Sequence, residues 1–319
     1  MNDKKLGAIY GALIGDATGC PYEFNSPEKL PHPDEIDMFP PSWWECAYPN
    51  VKLGTYTDDG AQTLCLLESL IEGGDLITVL RTKLQKWLHE GYMAVDSYVF
   101  DVGSQTRAAL LTKDHTKVFA EEASNGNGAL MRCIPVAVMA QSEDYAITIA
   151  MEQAKATHPH MWSQLTCAAY ALIGYWMIRG HKITISDCVG APVEQVVSDA
   201  ESLIIPAFSL LQRKFPEHRQ HLAYIYNYRY TEPTGTGFVV DAFWSALFAL
   251  RVGDTYEKVI KRAIELGHDT DTTACIAGGL AGIKFGMAGI PRRWIDGLRG
   301  RELIDSLAAR ASLGVEVNE

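Results

Sequence analysis

The hydrophobic and polar positions along the chain follow the period of α-helices. Apolar residues recur at three- and four-residue intervals, as in AQTLCLLESLIE at 61–72. The pattern predicts helices over 6–16, 61–72, 76–90, 102–112, 129–140, 144–156, 163–179, 192–212, 239–250, 255–266, 272–288 and 301–311. Strand signals are few, and the two short segments VKLGTY at 51–56 and KITIS at 182–186 are also typical of loops. The predicted fold class is therefore all-α, and no polar linker divides the chain.

Two of these predicted helices carry glycines at four-residue spacing, which places the glycines of each helix on one face. The first stripe is Gly7, Gly11 and Gly15, and the second is Gly278, Gly282 and Gly286. Gly inside a helix costs about 1 kcal/mol relative to Ala, so the repetition indicates a packing requirement. We expect both faces to be buried close to the acidic clusters described below. Each face should pack closely against neighbouring helices or against the other stripe.

Composition and charge narrow the classes of function. The chain has 319 residues, with 28 Lys plus Arg against 39 Asp plus Glu, for a formal net charge of −11. No basic stripe is present in the sequence, so nucleic-acid binding is not expected. No run of about 18 uncharged apolar residues occurs, so no membrane helix is expected. Seven scattered cysteines without a CxxC motif are typical of reduced thiols in a cytoplasmic protein.

A proline-rich segment at 27–49 separates the first predicted helix from the next. It holds Pro27, Pro31, Pro33, Pro40, Pro41 and Pro49, together with Trp43 and Trp44. Two interpretations are open: an ordered surface loop, and a lid or rim over a functional site.

Acidic and hydroxyl side chains concentrate in two short clusters, each just before a predicted helix. The first is Thr57-Asp58-Asp59-Gly60 and the second is Asp269-Thr270-Asp271-Thr272. Helix capping needs only one such residue per helix, whereas each cluster holds two acids. If the clusters meet in space, their carboxylates would repel one another strongly, and a bound cation would remove the conflict. Oxygen ligands without Cys or His favour Mg²⁺, Mn²⁺ or Ca²⁺, and two divalent ions balance the charge better than one.

Two further segments offer polar groups ahead of predicted helices. The loop Ser124-Asn125-Gly126-Asn127-Gly128 could turn its N–H groups toward an anion, although by itself an ordinary turn explains it more simply. The pair Thr157-His158 precedes the helix predicted over 163–179, where a His is usually structural.

Taken in this order, the segments resemble the ADP-ribosylglycohydrolase family. The resemblance spans about residues 6–300 and rests on GDATGCPYEF at 15–24, Thr57-Asp58-Asp59, Asp101-Val102-Gly103, the loop at 124–128 with Met131-Arg132, Thr157-His158, Gly237-Phe238-Val239-Val240 and the cluster at 269–272. It implies a compact, single-domain, all-α orthogonal helical bundle over residues 1–319. It also implies a centre of two Mg²⁺ or Mn²⁺ ions, held by Thr57, Asp58, Asp59, Asp269, Asp271 and Thr272.

The same resemblance implies hydrolysis of the N- or O-glycosidic bond at C1 of the ADP-ribosyl ribose. Either Asp59 or Asp101 would assist the attacking water, and Glu23 would gate the site or contact the leaving group. The remaining expectations concern substrate binding: Ser124, Asn125, Gly126, Asn127 and Gly128 at the diphosphate, His158 near the phosphates or the distal ribose, and Gly235, Thr236, Gly237 and Phe238 as the wall near adenine, unless Phe238 belongs to the core.

Two departures from the family pattern stand out. Gly60 occupies a position where many members carry Thr or Ser, and His268 stands where many carry Gly. Position 60 is outside the implied ligand set, so the centre should be retained.

The resemblance leaves the substrate and the partners of the protein open. Arginine-linked ADP-ribose is the first expectation, with serine-linked, polymeric or free ADP-ribose derivatives as alternatives. A binding protein that occludes an ADP-ribosylating toxin or transferase is an alternative of another class. A binuclear phosphohydrolase is a third, although such a site usually includes His ligands.

Overall fold

The computed structural model describes residues 2–112, 124–184, 194–196 and 200–313, and most of them are helical. The helices are α1 (Asn2–Gly19), α2 (Asp58–Glu72), α3 (Leu76–Glu90), α4 (Ser104–Leu111), α5 (Ile134–Met139), α6 (Glu143–Lys155), α7 (Met161–Arg179), α8 (Ala200–Lys214), α9 (Arg219–Asn227), α10 (Val239–Val252), α11 (Tyr256–Ile264), α12 (Thr270–Phe285), α13 (Arg292–Gly297) and α14 (Arg301–Leu313). Two three-residue strands, β1 (Lys182–Thr184) and β2 (Glu194–Val196), pair antiparallel. The predicted all-α class is confirmed.

The structure differs from the predicted elements at a few places. Residues 51–56 form a loop with bends and turns. The first three residues of the segment KITIS at 182–186 form strand β1. The helix predicted over 129–140 is shortened to α5, because 129–132 form turns ahead of Pro135. In the segment 192–212, β2 precedes α8, and the intervening 197–199 lie outside the described residues. Helices α9 and α13, of nine and six residues, lie outside the predicted helices.

Helix α7 runs through the core. Its apolar residues are buried on almost every side, and it packs against α5, α6, α8, α10 and α12. No helix among the described residues is long and apolar enough to cross a membrane.

The two glycine stripes pack directly against each other. A Cβ built on Gly11 would overlap the carbonyl oxygen of Gly278, and one built on Gly282 would overlap that of Gly7. One on Gly15 would lie 2.7 Å from the carbonyl carbon of Ala274. Helices α1 and α12 are therefore antiparallel and in backbone contact, which confirms that the glycine faces are buried and pack on each other.

This contact brings the end of α1 to the beginning of α12. A Cβ on Gly19 would lie 2.6 Å from Cα of Asp271, and Thr270 donates its hydroxyl hydrogen bond to the Gly19 carbonyl at 2.9 Å. Asp16, one turn before Gly19, is fully buried. The glycine interface thus sets the position of the second acidic cluster relative to α1.

We expect Gly11→Leu and Gly282→Leu each to destabilise the protein by about 1–3 kcal/mol or more, because overpacking here meets backbone atoms that cannot rotate away. Lys86→Leu places the same side chain at an exposed position of α3 and serves as the control. Thermal unfolding of the three variants tests the expectation. If the glycine variants melt like the control, the α1–α12 contact is looser than described.

Candidate active site

The two acidic clusters lie together at the N-termini of α2 and α12. Thr57 caps α2 by accepting a hydrogen bond from the Asp59 N–H at 3.3 Å. Asp269 is the residue that precedes α12. The Thr272 hydroxyl donates to Asp59 Oδ1 at 3.3 Å and so joins the two clusters. The two clusters therefore meet in space, and repulsion among their carboxylates is expected.

Asp16 positions the first cluster, a role that the sequence analysis did not assign. Its carboxylate accepts hydrogen bonds from the Thr57 N–H at 3.0 Å and from the Gly60 N–H at 2.8 Å. These N–H groups belong to the first turn of α2, which has no partner for them within the helix. Asp16 on α1 thus caps α2 from outside the helix and fixes the positions of Asp58 and Asp59 in its first turn.

The packing of Tyr56 explains why position 60 of this chain is glycine. A Cβ at Gly60 would lie 2.7 Å from the Cβ and ring carbons of Tyr56. The Tyr56 hydroxyl donates to the Met93 carbonyl at 2.8 Å, so the ring is held in place. A larger residue at position 60 would displace this ring in this chain.

Glu23, which the family resemblance implies as a gate or a contact of the leaving group, lies within the acidic centre itself. Carboxylate oxygens of Glu23, Asp269 and Asp271 lie within 4.8 Å of one another, an arrangement that could hold a metal ion. Tyr48, from the proline-rich segment, donates its hydroxyl hydrogen bond to Glu23 Oε2 at 2.8 Å. That segment is therefore ordered at its end and borders the site.

Burial and like charge raise the pKa values of these carboxyls. The pKa of Asp58, Asp59 and Asp271 is held well above the ordinary value, chiefly by burial and then by neighbouring carboxylates. Burial, followed by the charges of Asp101 and Asp269, raises the pKa of Glu23 to about 10. Burial raises the pKa of Asp16 to about 7, although its backbone hydrogen bonds oppose the shift.

Several oxygens of this centre are orphaned. Asp59 Oδ2 and both carboxylate oxygens of Asp271 are buried and have no hydrogen-bond partner among the described residues. A buried polar atom without a partner is costly, and an ionised one more so. Orphaned carboxylate oxygens beside hydroxyl oxygens fit a hard divalent cation, which takes oxygen ligands.

The Gly-rich loop lies beside the acidic centre and pairs with the segment around Gly237. The Asn127 N–H donates to the Gly237 carbonyl at 3.0 Å, and the Val239 N–H donates to the Asn125 carbonyl at 2.9 Å. The Asn127 side chain also donates to Asp269 Oδ2 at 2.8 Å. These hydrogen bonds hold together three segments that lie far apart in the sequence: the Gly-rich loop, the segment around Gly237, and the second acidic cluster.

His158 closes the other side of this loop as a neutral side chain. Burial, with the charge of Arg132, lowers the pKa of His158 to about 3. Arg132 donates to the Thr157 hydroxyl at 2.8 Å, and the same hydroxyl lies 2.8 Å from His158 Nδ1. With the hydroxyl donating to Nδ1, the neutral ring carries its proton on Nε2, which faces Gly126 at 3.4 Å from the place of a Cβ. In this tautomer His158 donates toward the loop.

Arg132 links His158 to the acidic centre, and the sequence analysis gave it no role. It is fully buried and donates to Gln62 Oε1 at 2.8 Å and to Gln153 Oε1 at 3.0 Å. Gln62 in turn donates to Asp58 Oδ2 at 2.8 Å. A neutral amide therefore separates the guanidinium from the carboxylate.

Residues of the two acidic clusters, the Gly-rich loop and His158 line one cavity of about 640 Å³. Its lining includes Glu23, Asp58, Asp59, Asp101, Ser124, Gly126, Asn127, Gly128, His158, Asp269 and Thr272, and also Ser104, Gln105 and Thr106 from the first turn of α4. None of the described residues lining it is Lys or Arg. Another cavity, of about 720 Å³, lies at the opposite end of α12 beside Lys284 and includes none of the predicted site residues.

Phe238 lies at the side of this region and is half-buried. Its ring packs edge-on against Trp162 at 5.9 Å and against Tyr228 at 5.8 Å between centroids. The loop before it is fixed by the buried Asp241, whose carboxylate accepts from the Thr236 N–H at 2.7 Å. Phe238 therefore packs with neighbouring aromatic side chains at the edge of the core.

Comparison with known proteins points to one family. The family model described as ADP-ribosylglycohydrolase matches residues 1–319. A protein named ADP-ribosylarginine hydrolase from Serratia proteamaculans is 30% identical over 315 residues, covering 96% of this chain and 78% of that protein. An ADP-ribosyl-[dinitrogen reductase] glycohydrolase from Rhodospirillum rubrum is 26% identical, with 98% of each chain covered. A solved structure titled ADP-ribosylglycohydrolase-related protein complex superposes with a TM-score of 0.71 at 26% identity, covering 97% of each chain.

The raised pKa values predict that metal-free protein loses stability as the pH rises. A carboxyl whose pKa is raised by folding keeps its proton where the unfolded chain has released it, so the free energy of unfolding falls with pH. The free energy of unfolding begins to fall near about pH 4, the pKa of these carboxyls in the unfolded chain. The contribution of Asp16 ends near its folded pKa of about 7, and that of Glu23 continues to higher pH. Chelator-treated protein should melt several degrees lower at pH 8 than at pH 5.5, and saturating Mg²⁺ should remove most of the difference. Higher stability at pH 8 without metal would contradict this account.

The orphaned carboxylate predicts the effect of Asp271→Ala on the metal-free protein. Removing a buried, unpartnered carboxylate should raise its free energy of unfolding by on the order of 1 kcal/mol. The same change should reduce the rise in melting temperature that Mg²⁺ or Mn²⁺ produces. Asp254→Ala, at an exposed carboxylate paired with Lys258, is the control. Melts with and without metal at pH 8 test the expectation, and an undiminished metal-induced shift in Asp271→Ala would remove Asp271 from the metal site.

Proposed function

The chain belongs to the ADP-ribosylglycohydrolase family, and we propose that it releases ADP-ribose from modified arginine side chains by cleaving the glycosidic bond at ribose C1. One observation carries the proposal: a single cavity joins a carboxylate-rich centre to a Gly-rich loop and a neutral His158 donor. This arrangement suits a substrate with a polyhydroxylated sugar at one end and an anionic diphosphate next to it. The name of the Serratia relative favours the arginine linkage.

The proposed metal ligands are Thr57, Asp58, Asp59, Asp269, Asp271 and Thr272, with two Mg²⁺ or Mn²⁺ ions as the cofactor. The joined clusters and the orphaned oxygens of Asp59 and Asp271 support this set. When bound, such ions supply charge that orients ribose hydroxyls and lowers the pKa of a coordinated water. Glu23 lies close enough to Asp269 and Asp271 to be a further ligand.

Asp101 is the carboxylate that we propose to accept the proton of the attacking water. It lines the cavity, is half-buried, and lies outside the proposed ligand set. Asp59, the other candidate, is already engaged by Thr272 and packed within the clusters. In the reaction, the water oxygen bonds to C1 and the bond from C1 to the guanidine nitrogen breaks. The electron pair of that bond stays on the nitrogen, and the proton held by Asp101 returns to it.

The diphosphate would lie against the loop at 124–128, with neutral donors around it. The Nε2–H of His158 faces this loop and can donate to a phosphate oxygen without adding charge. Asn127 ties the loop to Asp269, so the phosphates and the ribose are held at a fixed separation. Holding the ADP-ribosyl half at two points places C1 for attack, and such positioning is worth a large rate factor.

Activity should depend on divalent metal and on each acidic ligand. EDTA should abolish release of ADP-ribose from an ADP-ribosylated arginine peptide, and Mg²⁺ or Mn²⁺ should restore it. Asp58→Ala, Asp59→Ala, Asp269→Ala and Asp271→Ala should each lower turnover by orders of magnitude while the circular dichroism stays helical, whereas Asp254→Ala should not. The assay measures released ADP-ribose, with a serine-linked peptide in parallel. Full activity in metal-free protein would contradict the metal centre, and a preference for the serine linkage would contradict the proposed substrate.

A further inference from the structure

Four aromatic side chains form a continuous strip at the edge of the cavity. The aromatic strip consists of Phe24, Tyr48, Phe100 and Tyr98, in that spatial order. The ring centroids are 5.9 Å apart for Phe24 and Tyr48, and 5.0 Å apart for Tyr48 and Phe100. Phe100 and Tyr98 stack at 5.8 Å. Phe24 is 69% exposed and Tyr98 is 56% exposed, so the strip presents ring surface to solvent.

The aromatic strip is attached to the acids that line the cavity. Phe24 follows Glu23 in the chain, and Phe100 precedes Asp101. The hydroxyl of Tyr48 holds Glu23 through its hydrogen bond of 2.8 Å. The strip therefore borders the part of the cavity that Glu23 and Asp101 line.

Packing within the protein does not account for the outermost ring. Phe24 has a positive φ of 62°, and its N–H donates to the His268 carbonyl at 2.7 Å. That bond fixes the backbone and leaves the phenyl ring outside the core. An exposed large apolar side chain at the rim of a cavity is typical of a contact surface.

We propose that the aromatic strip binds the arginine side chain that carries ADP-ribose, so that the strip selects cationic acceptors over hydroxyl acceptors. This proposal rests on the proposed function and names what recognises the leaving group. A guanidinium is planar and weakly hydrated, and it stacks on aromatic faces. The half-buried carboxylate of Asp101, next to Phe100 of the strip, complements its charge. A serine hydroxyl offers neither the flat face nor the charge.

Two substrates with the same ADP-ribosyl half separate this role from ribose and phosphate binding. One is ADP-ribosylarginine, and the other is ADP-ribose with an α-O-methyl group at C1, whose leaving group is methanol. Phe24→Leu and Phe100→Leu keep apolar bulk and remove the ring face. We expect kcat/KM for ADP-ribosylarginine to fall about fivefold for Phe24→Leu and about tenfold for Phe100→Leu, which correspond to about 1 and about 1.4 kcal/mol, the size of cation–π contacts. The fall should lie mainly in KM, with kcat/KM for the methyl glycoside changed less than twofold.

Trp43→Ala is the matched control, because Trp43 is 59% exposed in the same proline-rich segment and contacts Trp44 outside the strip. It should cleave both substrates like the wild type. Equal losses on both substrates in the Phe variants, or no loss on ADP-ribosylarginine, would overturn the role of the strip. A wild-type protein that cleaves the methyl glycoside but not ADP-ribosylarginine would instead overturn the proposed function.

Discussion

The backbone contact between α1 and α12 is the constraint on which the site depends. Carbonyl oxygens of each helix fill the space that Cβ atoms would take on the other, so only glycines permit this separation. Because the helices are antiparallel, the end of α1 meets the start of α12, where Gly19 lies against Asp271 of the second cluster. Asp16 then caps α2 and so fixes the first cluster. Three helix termini are thus brought to one point by a contact between small residues.

The cost of this arrangement is electrostatic. Helix N-termini favour acidic residues, but their partial positive charge compensates only a small part of several buried carboxylates. The pKa of Asp58, Asp59 and Asp271 is raised as a result, and oxygens of Asp59 and Asp271 remain without partners. Local rules of stability are broken here, which is typical of a site retained for function rather than for folding.

Sequence reasoning predicted the features that depend on local pattern. The helical class and the glycine faces follow from spacing along the chain, whereas the meeting of the two acidic clusters, which lie far apart in the chain, is implied by the family resemblance. The roles of Glu23, Asp16 and Arg132 could not be predicted from spacing, because each acts on residues far away in the chain: Arg132 on Gln62, and Asp16 on Thr57. Helices α9 and α13 were not predicted because each buries only two residues, Leu222 and Ile225 in α9 and Trp294 and Ile295 in α13, too few for an apolar period. The single-domain expectation over 1–319 and the role of a toxin partner stay predictions.

The buried guanidinium of Arg132 shows how the negative charge of the centre is preserved. A direct ion pair between Arg132 and Asp58 would neutralise a carboxylate and compete with a bound cation. Gln62 stands between them, accepting from the guanidinium and donating to the carboxylate. On its other side, Arg132 orders Thr157 and thereby sets His158 as a neutral donor. Arg132 thus holds Asp58 and His158 in position through neutral groups, and the carboxylates stay unpaired with Arg132 and available to a cation from outside the chain.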